Sequence, residues 1–158
     1  MADRRKNKSD DQECGIVFSE NCQCARKTGR QVLVCAEMTY QVELSKEMLV
    51  DPLPADVKKN VIWRETFWLP DEAASVYSHA NAVVSAECHS PLIAYKNGTP
   101  AFYVRQPADT CKGQMYIDFG AADWFFEVDE TSGDQLWSRL EPIIANPAQG
   151  KAQVKKIM

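Results

Sequence analysis

The 158-residue chain has no apolar run of roughly 18 residues, which excludes a membrane-spanning helix. It has no apolar signal core near the first residue, so a cytoplasmic location is expected. Basic residues are not in excess: 18 Lys and Arg stand against 22 Asp and Glu, a net charge of −4. A general nucleic-acid binder would carry a basic face, so that class is set aside. None of the six cysteines stands at CxxC spacing; Cys22 and Cys24 form only a CxC. Zinc-site partners are therefore missing, no metal or other cofactor is expected, and free thiols are expected over a disulfide framework. No GxGxxG follows a strand-like run, so the usual dinucleotide fingerprint is missing, and no internal repeat is found.

What is there is an ordinary globular composition, 45% hydrophobic and 25% charged, in a chain long enough to bury about 70% of its unfolded surface. Residues 1–12 are charged and polar and read as a disordered tail; residues 13–158 read as one domain. Residues 13–27 give a weak pattern, taken as a poor helix ending at Thr28-Gly29. Gln31–Ala36 is a buried strand. Tyr40–Val50 has helical spacing and is stopped by Asp51-Pro52-Leu53-Pro54. Lys59–Glu65 is a third-strand candidate. Pro70-Asp71-Glu72 starts a helix through Ala80.

Two strand-to-helix units follow. Ala82–Ala86 is a strand, Glu87–Pro91 a polar turn, and Leu92–Tyr95 a short helix closed by Asn97-Gly98. Pro100–Val104 is a second buried strand, and Arg105–Thr110 a second polar turn, with Thr110 as cap of a helix through Tyr116. Trp124–Val128 is an edge strand. A helix follows Thr131–Asp134, with a kink or early end expected at Pro142, and Gln149–Met158 is a last amphipathic segment. Alternating strands and helices imply right-handed crossovers and a mainly parallel sheet of four central strands plus an edge strand. That is an α/β, Rossmann-like three-layer domain. Its ligand crevice lies at the carboxyl ends of the strands, where helix N-termini suit anions.

Five segments, VLVCAEMTYQ (Val32–Gln41), WLPDEAASVYSHA (Trp68–Ala80), VVSAECHSPLIA (Val83–Ala94), GTPAFYVRQPADTCKGQMYIDFG (Gly98–Gly120) and DWFFEVDETSG (Asp123–Gly133), carry a resemblance in their order and spacing. Residues 29 to 158 resemble the C-terminal Rossmann-like domain of the polysaccharide pyruvyl transferases, enzymes with a GT-B-like architecture. The resemblance implies one half of such an enzyme, with the N-terminal domain not in this chain. The family commonly has Arg-Leu-His where this chain has Glu87-Cys88-His89.

The implied reaction transfers a pyruvyl unit from phosphoenolpyruvate to two hydroxyls of a surface-polysaccharide sugar. The implied partners are therefore phosphoenolpyruvate and a saccharide acceptor, with a separate N-terminal half or a second copy as protein partner. His89 is the donor ligand or general acid; its alternative is a buried histidine bonded to backbone. Glu87 is a base or orients His89, or is a helix-start acid. Arg105 binds the donor's carboxylate or phosphate, or pairs with Asp109 or Glu87. Lys112, Gln106, Asp109, Thr110 and Ser90 complete the donor set, capping being the alternative for the turn residues. Glu37, Thr39 and Tyr40 face the same crevice and bind donor or acceptor, Thr39 otherwise acting as a helix cap. Trp68 stacks on a sugar or is a buried aromatic. Gly113 allows close backbone approach or is a packing site. Two other readings stand beside this one. One is a GT-B glycosyltransferase half that binds a nucleotide-sugar. The other is a truncated remnant that docks on a separate half without catalysing anything.

Overall fold

The run Ala101-Phe-Tyr-Val-Arg105 is apolar at four successive positions, the pattern of a strand covered on both faces. In a computed structural model, which describes residues 21–109 and 111–158, this run is β4 (Ala101–Arg105), fully buried over its first four residues. It lies between β3 (Val83–Ser85) and β5 (Phe125–Glu127), parallel to both. A second sheet pairs β1 (Val32–Val34) with β2 (Val61–Trp63), also in parallel. All five strands anticipated from the sequence are present, and the architecture is α/β.

The single continuous sheet is not. Among the described residues the strands form sheets of two and three, with no backbone hydrogen bond from β1 to β3. Residues of both strands instead line one cavity of about 520 Å³, with Trp68, Tyr77, Leu140 and Ile144 on its wall.

The helices follow their local signals. Residues 21–28 form α1, ended by Gly29 at φ 65°, a conformation that suits glycine. The remainder of the weak pattern before it, the tail at 1–12, Cys14 and Thr110 lie outside the described residues. α2 (Gln41–Ser45) runs on into a π-helical turn, Lys46–Val50, and α3 (Ala55–Lys58) is a short helix the sequence did not announce. α4 (Pro70–His79) opens on proline, and the Glu72 carboxylate accepts from the Leu69 N–H at 3.1 Å. α5 (His89–Lys96) starts three residues earlier than expected and ends at Asn97, before Gly98 at φ 76°. α6 spans Lys112–Asp118.

α7 (Gly133–Ala145) has a capping box: Ser132 Oγ accepts from the Gln135 N–H and the Gln135 side chain accepts from the Ser132 N–H. It does not end at Pro142. The proline ring is on the solvent side, while Ile143 and Ile144 beyond it are buried. Burying two isoleucines, at about 1.5–3 kcal/mol each, outweighs one missing N–H bond. α8 (Pro147–Ile157) then packs on α7. No helix among the described residues is long and apolar enough to cross a membrane.

The core gathers around β4. Tyr103 lies against Tyr116 of α6, with centroids 4.8 Å apart, and Phe102 against Trp124 and Phe126. Three buried tyrosines keep their hydroxyls satisfied, as buried polar groups must. Tyr95 donates to the Ala101 carbonyl at 2.6 Å, Tyr116 to the Cys88 carbonyl, and Tyr103 to Asp109 at 2.9 Å. Two of these bonds tie the core to the turns at the carboxyl ends of β3 and β4.

Candidate functional site

A short strand that ends in a polar residue presents that side chain at the sheet's rim. β3 ends at Ser85, and Glu37 follows β1 by three residues. The two meet: Ser85 Oγ donates to Glu37 Oε1 at 2.6 Å and accepts from the Glu87 N–H at 2.9 Å. This bond crosses from the β1 side to the β3 side at the carboxyl end of the cavity, where the backbone ladder is missing. Gln41, the first residue of α2, donates from Nε2 to Glu87 Oε1 at 2.9 Å, and its Oε1 accepts from the Met38 N–H at 3.1 Å. Glu37, Gln41, Ser85 and Glu87 therefore form one polar rim at the carboxyl end of the cavity.

Burial raises the pKa of Glu37 above its ordinary value. Hydrogen bonds from the Ser85 and Ser90 hydroxyls pull it back, the Glu87 charge pushes it up, and His89 pulls it down. Burial thus favours the protonated form of this carboxyl more than in water. Because its folded-state pKa is raised, the folded chain binds that proton more tightly than the unfolded chain. Stability falls as pH rises from the ordinary carboxylate range through the raised value, and the loss is complete above it. Thermal melts of wild type and Glu37→Gln at about pH 4 and about pH 8 check this. The mutant's Tm relative to wild type rises with pH; a constant difference contradicts it.

The sequence-predicted residues divide as follows. His89 is the first residue of α5 and is exposed, with Nδ1 3.7 Å from the Cys88 Sγ. It is not the buried, backbone-bonded histidine of the alternative. Glu87 takes its side-chain bond from Gln41 rather than orienting His89. Ser90 is buried, 2% exposed, and its Oγ lies 2.6 Å from the Tyr77 hydroxyl. Its hydroxyl is engaged by Tyr77 in the core instead of facing a ligand. Cys88 is buried, and burial pushes its thiol up, away from a thiolate nucleophile. The Cys35 thiol is likewise pushed up, to about 11, by burial. No disulfide joins the described cysteines to one another.

The cations of the second turn already have anionic partners. Arg105 pairs with Glu127 of β5, at 2.6 and 2.9 Å, and not with Asp109 or Glu87. Lys112 pairs with Asp109 at 2.9 Å. Burial alone would raise Asp109, but hydrogen bonds from Lys112 and Tyr103 outweigh it and hold the carboxyl below its ordinary value. The Lys112 pair is solvent-exposed and weak, so an incoming anion competes for it easily. Gln106 sits in the same turn, its carbonyl accepting from the Asp109 N–H at 2.9 Å.

Thr39 and Tyr40 are exposed. Tyr40, not Thr39, occupies the cap position of α2, and no side-chain cap bond forms there. Trp68 is buried edge-on against Tyr77, centroids 5.2 Å apart, so it lines the cavity wall and offers no open face to a sugar. Gly113 is a close approach, to the Phe125 ring and the Arg105 stem. Ser85, Gln41 and Tyr77 had not been singled out. A polar residue closing an apolar strand was the available signal for Ser85, and for Gln41 the first position of a helix facing the crevice.

Among the described residues no group of three or more His, Cys, Asp or Glu could hold a metal ion. The rim can accept hydrogen bonds from hydroxyls, through two carboxylates, and can exchange a proton, through Glu37. Comparison of the chain with family models, with curated proteins and with solved structures gives no match.

Proposed function

We propose that this chain is a Rossmann-like half of a GT-B-like transferase of the polysaccharide pyruvyl transferase type, moving a pyruvyl unit from phosphoenolpyruvate to a saccharide. One observation carries the reading: Glu37, Glu87 and His89 are brought to the carboxyl ends of β1 and β3, where α2 and α5 begin. Open α/β sheets bind ligands in that position. The resemblance drawn from the sequence assigns the chemistry, and the rim suits it. Two carboxylates accept from acceptor hydroxyls. His89, exposed at the helix start, meets the anionic donor or delivers a proton to its methylene carbon. Lys112 is the further cation, once its exposed pair with Asp109 opens.

The GT-B glycosyltransferase half is the second reading. It is favoured by the pairing of Arg105 with Glu127, because carboxylates at a rim with its Arg engaged suit ribose hydroxyls better than phosphates.

Thermal melting with millimolar phosphoenolpyruvate, and separately with a set of nucleotide-sugars, separates the two. Ligand at about 100 times its Kd adds about 2.7 kcal/mol of stability. A shift with phosphoenolpyruvate that disappears in His89→Ala is the expected result. A shift with a nucleotide-sugar alone overturns it in favour of the second reading.

A further inference from the structure

Among the described residues, β1 and β3 each have a strand on one side only. The Val32 N–H donates to the Asn60 carbonyl and the Arg64 N–H to the Val34 carbonyl, so Val32 and Val34 turn their backbone groups toward β2. In a parallel ladder the residue between two such positions turns the other way, and Leu33 points its N–H and C=O away from β2. On β3 the Val83 N–H donates to the Pro100 carbonyl, and Val84 by the same rule points away from β4. Residues 31–36 and 82–86 all line the cavity of about 520 Å³. Two unused strand edges therefore face one slot. Val76 and Tyr77 of α4, Cys24 of α1, and Leu140 and Ile144 of α7 also line it. Backbone groups at such edges need partners, and an unpaired edge is a template for another strand.

Neighbouring strands here are also consecutive in the chain: β1 with β2 through α2 and α3, β3 with β4 through α5, β4 with β5 through α6. A strand before α1 therefore belongs beside β1, whose other edge β2 already holds. α1 runs in the direction that such a crossover needs. Near its start Gln23 donates to Asp134, the second residue of α7, at 2.8 Å. Just past its end Arg30 donates to the Ile144 carbonyl, near the end of α7, at 3.3 Å. α7 begins after the carboxyl end of β5, so the chain enters α1 from the carboxyl ends of the strands. Asn21 at that entry lines the cavity, is 4% exposed, and its Nδ2 has no partner among the described residues. In the sequence before Asn21 the longest apolar run is Gly15-Ile16-Val17-Phe18, β-branched at two positions.

We propose that Gly15–Phe18 is the central strand of one parallel sheet, paired with β1 on one edge and β3 on the other. Ile16 and Phe18 then face one helical layer and Val17 the other. The strand order becomes β2, β1, Gly15–Phe18, β3, β4, β5. The chain reverses its travel across the sheet at the slot, the position where open α/β sheets hold ligands, and the strand's carboxyl end meets the rim that Glu37 and Ser85 span. This placement holds whichever ligand the crevice takes.

Amide hydrogen exchange and Overhauser contacts, measured by NMR on the full chain, test it. The amides of Ile16, Val17, Phe18, Leu33 and Val84 exchange more slowly than in an unstructured chain by on the order of a thousandfold or more, as central-strand amides do. Residues 16–18 show contacts to both Leu33 and Val84. Val17→Asp puts a charge in the slot, lowers Tm by roughly 5–10 °C and releases Leu33 and Val84 together. Asn7→Asp, in the polar stretch before the run, leaves both unchanged. Amides 16–18 that exchange at the unstructured rate overturn the proposal. So does a protected segment without those contacts, as in a helix running on into α1. Protection that appears only as concentration rises, with the chain eluting as a dimer, overturns it in favour of a strand from a second copy. The wild-type exchange gives the answer whether or not Val17→Asp folds.

Discussion

Replacing Phe102 by alanine lowers stability by about 3–5 kcal/mol, the usual cost of emptying a buried aromatic site. Phe102 is the second residue of β4, fully buried, pairs in register with Val84, and has the rings of Trp124 and Phe126 about it at 6.0 and 5.9 Å. The cavity cannot close easily. The backbone on either side is held by the ladders to β3 and β5, and Tyr95 is pinned by its bond to Ala101. A domain with about 5–15 kcal/mol in hand loses a large share of it. Urea unfolding of the variant beside Ile62→Ala checks the account. Ile62 is 48% exposed on β2, and its loss costs under about 1 kcal/mol. Similar costs for the two variants contradict the placement of the core.

Gly113→Ala destabilises the chain by about 1–3 kcal/mol, against the trend for helices. Alanine is a better helix former than glycine by about 1 kcal/mol, and Gly113 sits in α6 without a positive φ. Propensity alone predicts stabilisation. Packing decides otherwise: a Cβ there would overlap the Phe125 ring and lie 2.9 Å from Arg105 Cδ. Both belong to the floor of the second turn, so relief of the clash must displace the Arg105–Glu127 pair or part α6 from β5. Thermal melts of the variant show a Tm lowered by about 2–4 °C per kcal/mol for a chain of this size. A raised Tm contradicts the close approach.

What the sequence revealed, and where it misled, follows from the range of the interactions involved. The four apolar positions of β4 were legible because a strand buried on both faces needs no partner to be recognised. The helix start after Thr131–Asp134, and the stop at Asn97-Gly98, were legible because starts and stops are read over a few residues. The early end offered at Pro142 did not follow, because the local rule carries no information on which side of the helix the ring falls. The continuous sheet misled because strand alternation fixes order and not pairing, and β1 and β3 stand either side of a cavity. Arg105 was expected to bind the donor, with Asp109 or Glu87 as alternative partners; the partner it has, Glu127, lies 22 residues further on in a neighbouring parallel strand. Glu37 and Glu87 were both placed at the crevice by the strand-end rule. Their hydrogen-bond partners were not legible, since Ser85 and Gln41 arrive from two different elements.

The central claim is that the carboxyl-end rim of β1 and β3 is the ligand site, and amide NMR of the isotope-labelled chain titrated with phosphoenolpyruvate tests it most directly. The account predicts shifts concentrated at Glu37, Ser85, Glu87 and His89, with a second, smaller set at Asp109 and Lys112, and their loss in His89→Ala. Shifts confined to the opposite ends of the strands, or to the exposed Lys151, Lys155 and Lys156 of α8, would contradict it.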